Sequence, residues 1–186
     1  MNAIRDVEAK LMEEVCYDVK IEPQLIPTNE EQTHGITGQN ARLDVSARGI
    51  WSQYERTLFY VKVSYPNAAS YMKKSLPQLY RDNGLQKKNA YNDRVLNNEK
   101  ATFTPLVFTT TGGMGPECTR LNKRIAELIA RKRKECYSDV MRHVRTRLRF
   151  ALLRCTLIAI RGFRGKGQSD DEDELEEISF NLIPER

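Results

Sequence analysis

The chain has little from which to build a covalent or metal-held framework. Its four cysteines, Cys16, Cys118, Cys136 and Cys155, are scattered with no C-x-x-C pair, and His34 and His143 are the only histidines. This argues against a disulfide frame or a structural zinc site and makes reduced, mostly buried thiols the expectation. No apolar run approaches the roughly twenty residues a membrane span needs. The opening Met1-Asn-Ala-Ile-Arg-Asp6 lacks the basic and then apolar regions of a secretory leader. The expectation is a soluble intracellular protein, nuclear or cytoplasmic, with no membrane partner. No internal repeat is apparent. With 186 residues, the chain is long enough for one domain with a sizeable core and a tail.

What it does have is basic charge, unevenly spread. Eight of the 25 acidic residues lie after Gly167, whereas Arg186 is the only base there, so residues 1–167 carry 29 bases against 17 acids. A surplus of that size attracts polyanions, nucleic acid first, although a basic surface also serves solubility alone. Residues 1–167 are read as a single domain and residues 168–186 as an acidic, disordered tail.

The central stretch is Ala41 to Ser64. Ala41–Ala47 and Thr57–Ser64 read as two strands joined through Gly49 and the only tryptophan, Trp51. In the first, Leu43, Val45 and Ala47 fall on one face and Arg42, Asp44 and Ser46 on the other, because strand side chains alternate. In the second, Phe59, Val61 and Val63 make the apolar face and Leu58, Tyr60 and Lys62 the opposite one. An antiparallel hairpin centred near Ser52 sets Asp44 opposite Tyr60 and one diagonal step from Lys62. A carboxylate and an ammonium sharing a face have two readings. One is a cross-strand ion pair on a half-exposed sheet. The other is a metal-dependent nuclease site, in which an Asp and a second acid two residues before a Lys hold a divalent cation and the Lys positions the attacking water. That second acid would stand at position 60, which is Tyr60.

Around this stretch the periodicities are clear. Ile4, Val7, Leu11 and Val15 mark an amphipathic opening helix, with Asp6 and Glu13 outside and Glu8 and Glu14 at the borders of its stripe. Val19–Ile26 reads as a first strand and residues 27–40 as a loop. Leu76–Glu99 has a helical pattern with a basic side of Lys87, Lys88 and Arg94, and Gly84 as a point of interruption. Ala101–Thr109 reads as a strand that Pro105 assigns to an edge or an irregular start. The Gly-rich Thr110–Glu117 is read first as a tight strand-to-helix turn with Pro116 opening the helix. Phosphate binding by its N–H groups is the lesser alternative, and with no Lys-Ser or Lys-Thr after the glycines it is not a nucleotide P-loop. Two helices follow. The first carries Leu121, Ile125 and Leu128. The second has a buried stripe of Val140, Val144, Leu148, Leu152, Cys155 and Ile158, and an arginine row, Arg142, Arg145 and Arg149, that is either a solvated surface or a phosphate contact. The order helix, three strands, helix, strand and two helices describes an α/β sandwich with a mixed central sheet flanked by helices, plus C-terminal helices.

Several of these segments together resemble a known family. They are Ala41-Arg-Leu-Asp-Val45, Phe59-Tyr-Val-Lys-Val-Ser-Tyr-Pro-Asn67, Lys87-Lys-Asn-Ala-Tyr91, Phe103-Thr-Pro-Leu-Val-Phe108 with Thr111-Gly-Gly-Met-Gly115, and Ala151-Leu-Leu-Arg154. Over about residues 5–162 the chain is similar to the retrotransposon-associated nuclease domain of animal genomes, of the restriction-endonuclease-like, PD-(D/E)xK fold. The resemblance implies metal-dependent hydrolysis of DNA, or of RNA or an RNA–DNA hybrid, with Mg2+ or Mn2+. Asp44 would be the metal-binding acid, Lys62 the motif lysine and Glu8 a further acid, while Lys87, Lys88 and Tyr91 would contact the strand. The chain departs from that pattern at Tyr60 and Asn40, where the family has Asp, and at Asn83, Gly84 and Gln86, where it has His and Glu nearby. A phenol, protonated near neutral pH, replaces a carboxylate poorly. Cleavage is therefore expected to be weakened or lost unless Glu8 or Glu22 compensates. The alternatives are a non-catalytic nucleic-acid-binding module and a domesticated interaction scaffold.

Overall fold

The computed structural model describes residues 3–26 and 42–164. The expected loop at 27–40, Asn40 included, and the expected tail at 168–186 lie outside them. Eight main elements run in chain order: α1 (Ala3–Glu13), β1 (Tyr17–Ile21), β2 (Val45–Arg48), β3 (Arg56–Ser64), α2 (Leu76–Asn97), β4 (Thr102–Thr109), α3 (Pro116–Arg133) and α4 (Tyr137–Arg164). This is the order read from the sequence. The sheet is four-stranded and mixed, β1-β2-β3-β4, antiparallel from β1 to β3 and parallel between β3 and β4. The parallel step needs a crossover, which α2 supplies. β4 is an edge strand, as Pro105 requires, since proline donates no ladder hydrogen bond.

Helices cover both faces of the sheet. On one, α1, α3 and α4 enclose a large core that includes Val45, Phe59, Val61, Leu106 and Phe108. On the other, α2 closes a smaller cluster of Leu58, Tyr60, Val95 and Phe103. β3 is therefore buried along both faces, so that Tyr60 and Lys62 are only 6% and 5% exposed. A half-exposed hairpin is corrected to a central one, because α2 lies over the face that alternation assigned to water.

The hairpin register is the expected one. Val45 faces Phe59 and Ser46 faces Leu58, which sets Asp44 level with Tyr60. The connection turns at Gly49, whose φ of +97° suits glycine and whose missing Cβ leaves room for the Tyr17 ring. The strand itself starts later than the sequence suggests. The chain bends at Asp44, and Leu43 packs with Leu58 and Tyr60 instead of with Val45.

Two stripes also need correction. Glu8 is not at a border of α1 but fully buried, in a row with Ile4, Leu11 and Met12, while Val7 is only partly buried. Ile158 is half exposed, so that among the residues of α4 whose burial is described the stripe reaches only to Cys155. The thiols are free as expected, with Cys16, Cys118 and Cys155 buried and Cys136 exposed. No helix among the described residues is long and apolar enough to cross a membrane.

Candidate functional site

Asp44 stands where three segments meet. Its backbone N–H donates to Phe59 O at 3.0 Å, and its carbonyl accepts from Glu22 N–H at 2.9 Å. Its side-chain Oδ2 accepts from Val61 N–H at 2.7 Å. β2 leaves the ladder at this level, so the carboxylate takes the donor on β3 that a further strand residue would have satisfied. Asp44 as a whole is 7% exposed. Burial raises its pKa to about 6, against the downward pull of the Val61 N–H, Arg5 and Lys87 and with a smaller upward push from Glu22. Replacing Asp44 by alanine is expected to cost about 1–3 kcal/mol by orphaning that N–H. Asparagine, which keeps an acceptor, should cost less, as a urea titration of the two variants would read.

The carboxylate whose charge reaches Asp44 is thus Glu22, which follows β1 at a φ of +52°. Glu22 is held by Arg5 of α1 through a very close ion pair, and by Arg42 at 3.5 Å. Arg5 also binds Asp6 at 2.9 Å. Glu8 lies elsewhere in α1's surroundings, in the large core. Its burial raises its pKa to about 7, Asn122 of α3 opposes that rise, and its charge adds to the rise that burial gives the Cys118 thiol. Neither Glu8 oxygen has a hydrogen-bond partner among the described residues, so the pull of Asn122 falls short of a well-formed bond.

Beside Asp44 the α2 face of β3 is packed, not hollow. Tyr60 stacks on Tyr91 with ring centroids 5.8 Å apart, and Tyr91 in turn meets Phe103 at 5.8 Å. The Lys87 ammonium sits 4.5 Å above the Tyr60 ring. Lys62 Nζ donates to Gln86 Oε1 at 3.3 Å, and Asn83 Nδ2 donates to Ser64 Oγ at 3.0 Å. Residues of α2 therefore meet Tyr60, Lys62 and Ser64 in sequence along the strand. Asn83 and Gln86, noted as departures from the family pattern, serve as these contacts. The sequence does not show them, because α2 meets β3 only after a chain reversal.

These side chains fit a divalent cation poorly. Mg2+ prefers about six oxygens in tight geometry. Here one Asp44 oxygen already serves Val61, the acid at position 60 is a phenol, and Glu22 is tied to two arginines. Among the described residues no group of three or more His, Cys, Asp or Glu side chains is placed to hold a metal ion.

The other candidates divide in two. Lys88 is engaged with Glu117 at 3.1 Å, and Lys87 faces Tyr60. On α4, Arg142, Arg145 and Arg149 are exposed. Arg142 pairs with Asp139 at 2.6 Å, while Arg145 and Arg149 enter no ion pair among the described residues. The three glycine N–H groups of the Gly-rich turn are occupied. Gly112 N–H bonds Thr109 O, Gly113 N–H bonds Thr109 Oγ1 and Gly115 N–H bonds Val107 O, at 2.8–3.0 Å. A Cβ at Gly113 would come within 2.2 Å of the Tyr80 hydroxyl. Close packing accounts for that glycine without a bound phosphate, and Pro116 opens α3 as expected.

No protein-family model matches the sequence, and no curated protein is found similar to it.

Proposed function

We propose that this chain is a nucleic-acid-binding domain with a restriction-endonuclease-like architecture, in which phosphodiester cleavage is weakened or lost. The observation that carries binding is the exposed arginine row of α4 within a region holding 29 bases against 17 acids. The mixed sheet, with Asp44 level with position 60 and Lys62 two residues further along β3, supports the nuclease-like architecture. Loss of cleavage is supported by Tyr60, which stands in place of the second acid and is packed against Tyr91 and Lys87. DNA is the partner favoured by the resemblance, and Mg2+ or Mn2+ the cofactor of any remaining hydrolysis.

In this reading the arginines act on phosphates, not bases. Binding should therefore weaken uniformly across sequences as salt rises. Reversing Arg145 and Arg149 to glutamate is expected to lower the slope of log affinity against log salt by about two and to reduce duplex affinity at low salt at least about tenfold. Fluorescence anisotropy on two unrelated duplexes would check both. An unchanged slope would remove this face from the binding surface.

A further inference from the structure

Gly84 sits in the interior of α2 without interrupting it. A helix interior disfavours glycine relative to alanine. Packing does not call for one here, because outside the helix's own backbone a Cβ at Gly84 would meet only Pro105 Cγ, at an ordinary 3.9 Å. What the missing side chain does is widen a cleft of about 490 Å³ between α2, β4 and the start of α3, a size that suits a small ligand. Arg81, Gly84, Leu85 and Lys88 are spaced three, four and seven residues apart, so they share the face of α2 that lines this cleft. Pro105 of β4 and Pro116 of α3 add apolar rings to it.

The polar groups stand toward its two ends. Arg81, one turn before Gly84, is exposed and enters no ion pair among the described residues. Lys88, one turn after Gly84, binds Glu117 of α3 at 3.1 Å. The two cations are about 10.5 Å apart along the helix axis, with the apolar surface of Gly84, Leu85 and Pro105 between them. A guanidinium suits a phosphate. An ammonium beside a carboxylate offers donors next to acceptors, the pattern that meets the edge of a nucleobase. An anion at one end, a flat apolar body and a donor-acceptor edge at the other describe a nucleotide.

We propose that this cleft binds one nucleotide, with its phosphate on Arg81, its base over Gly84 against Leu85 and Pro105, and the edge of the base toward Lys88 and Glu117. A side chain at position 84 would take the place of the base, which gives the glycine its reason. The nucleotide is either a free 5′-monophosphate or the 5′-phosphorylated end of a strand, since both present the same chemistry. The cleft belongs to the α2 side of the sheet, whereas α4 packs on the opposite one. It is therefore a site separate from the arginine row, and does not rest on the binding proposed for that row.

The test is a calorimetric titration of the full chain with AMP, GMP, CMP and UMP, with the four nucleosides, with inorganic phosphate, and with a trinucleotide bearing or lacking a 5′-phosphate. At least one monophosphate is expected to bind at least about tenfold more tightly than its nucleoside or phosphate alone. Arg81→Gln should weaken that monophosphate at least about tenfold and leave the nucleoside unchanged. Gly84→Leu should weaken both. Gly84→Ala should raise the melting temperature by about 2–4 °C while weakening the monophosphate, a combination that a merely structural glycine would not give. A phosphorylated trinucleotide that binds more tightly than the monophosphate supports the proposal with a strand end as the source, and one that binds more weakly supports it with the free nucleotide. No binding of any monophosphate at millimolar concentration, phosphate alone binding as tightly, or affinity untouched by both Arg81→Gln and Gly84→Leu would overturn it. Arg145→Glu/Arg149→Glu should leave monophosphate affinity unchanged, so failure of the α4 face leaves this test intact.

Discussion

Replacing Glu8 by glutamine is expected to raise stability by about 3 kcal/mol at about pH 8 and by almost nothing at about pH 4. Glu8 is completely buried in the large core, and its pKa rises from 4.5 to about 7 through loss of water. The sign follows from proton binding. Between those two values the folded state keeps the proton that the unfolded chain has released, so stability falls as pH rises through this window. Below it the carboxyl is neutral in both states and the penalty vanishes; above it the penalty is complete. Glutamine is neutral throughout and close in shape, so it isolates the charge. Urea midpoints of wild type and variant should therefore coincide in acid and separate toward alkaline pH. Parallel curves at all pH values would mean that Glu8 reaches water or a partner and is not held as an uncompensated acid.

Replacing Tyr60 by alanine is expected to cost about 3–5 kcal/mol, the range for removing a large buried aromatic side chain. The ring is 6% exposed, stacks on Tyr91 and lies under the Lys87 ammonium. Its loss would open a space bounded by α2 and β3 and deprive Lys87 of its aromatic partner. Phenylalanine should recover most of that loss, because the stack and the cation–π contact belong to the ring. Nucleic-acid affinity measured well below the melting temperature should change by no more than about twofold, since the exposed arginines lie on α4. A large loss of affinity with little loss of stability would instead make Tyr60 a contact for the ligand.

The backbone plan was largely legible in the sequence because it depends on local period. The alternate facing of Leu58–Val63, the stripe of α4 as far as Cys155 and the edge assignment of Pro105 all reappear in the structure. The hairpin register followed from the same alternation and the length of the connection. What escaped was burial on the second face. Tyr60 and Lys62 looked like the wet side of a hairpin because their cover, α2, comes from residues twenty or more positions later in the chain. Glu8 was misplaced for a different reason. It completes a row with Ile4 and Leu11 at helical spacing, but a carboxylate in that row reads as a boundary and not as core. The ties from Glu22 to Arg5 and Arg42, and from Lys62 to Gln86, join distant segments and have no periodic signature.

A domain proposed to hold nucleic acid without cutting it efficiently can be tested for both properties on one gel. Wild type and Asp44→Ala are incubated with supercoiled plasmid and Mg2+ or Mn2+ over about 50 to 200 mM salt, then run with and without removal of protein. Retardation that fades steeply as salt rises is expected, with the plasmid equally intact for both proteins once protein is stripped. Nicking by wild type as fast as by a two-carboxylate nuclease, abolished in Asp44→Ala, would contradict the loss of cleavage. Absence of retardation at the lowest salt would contradict binding itself.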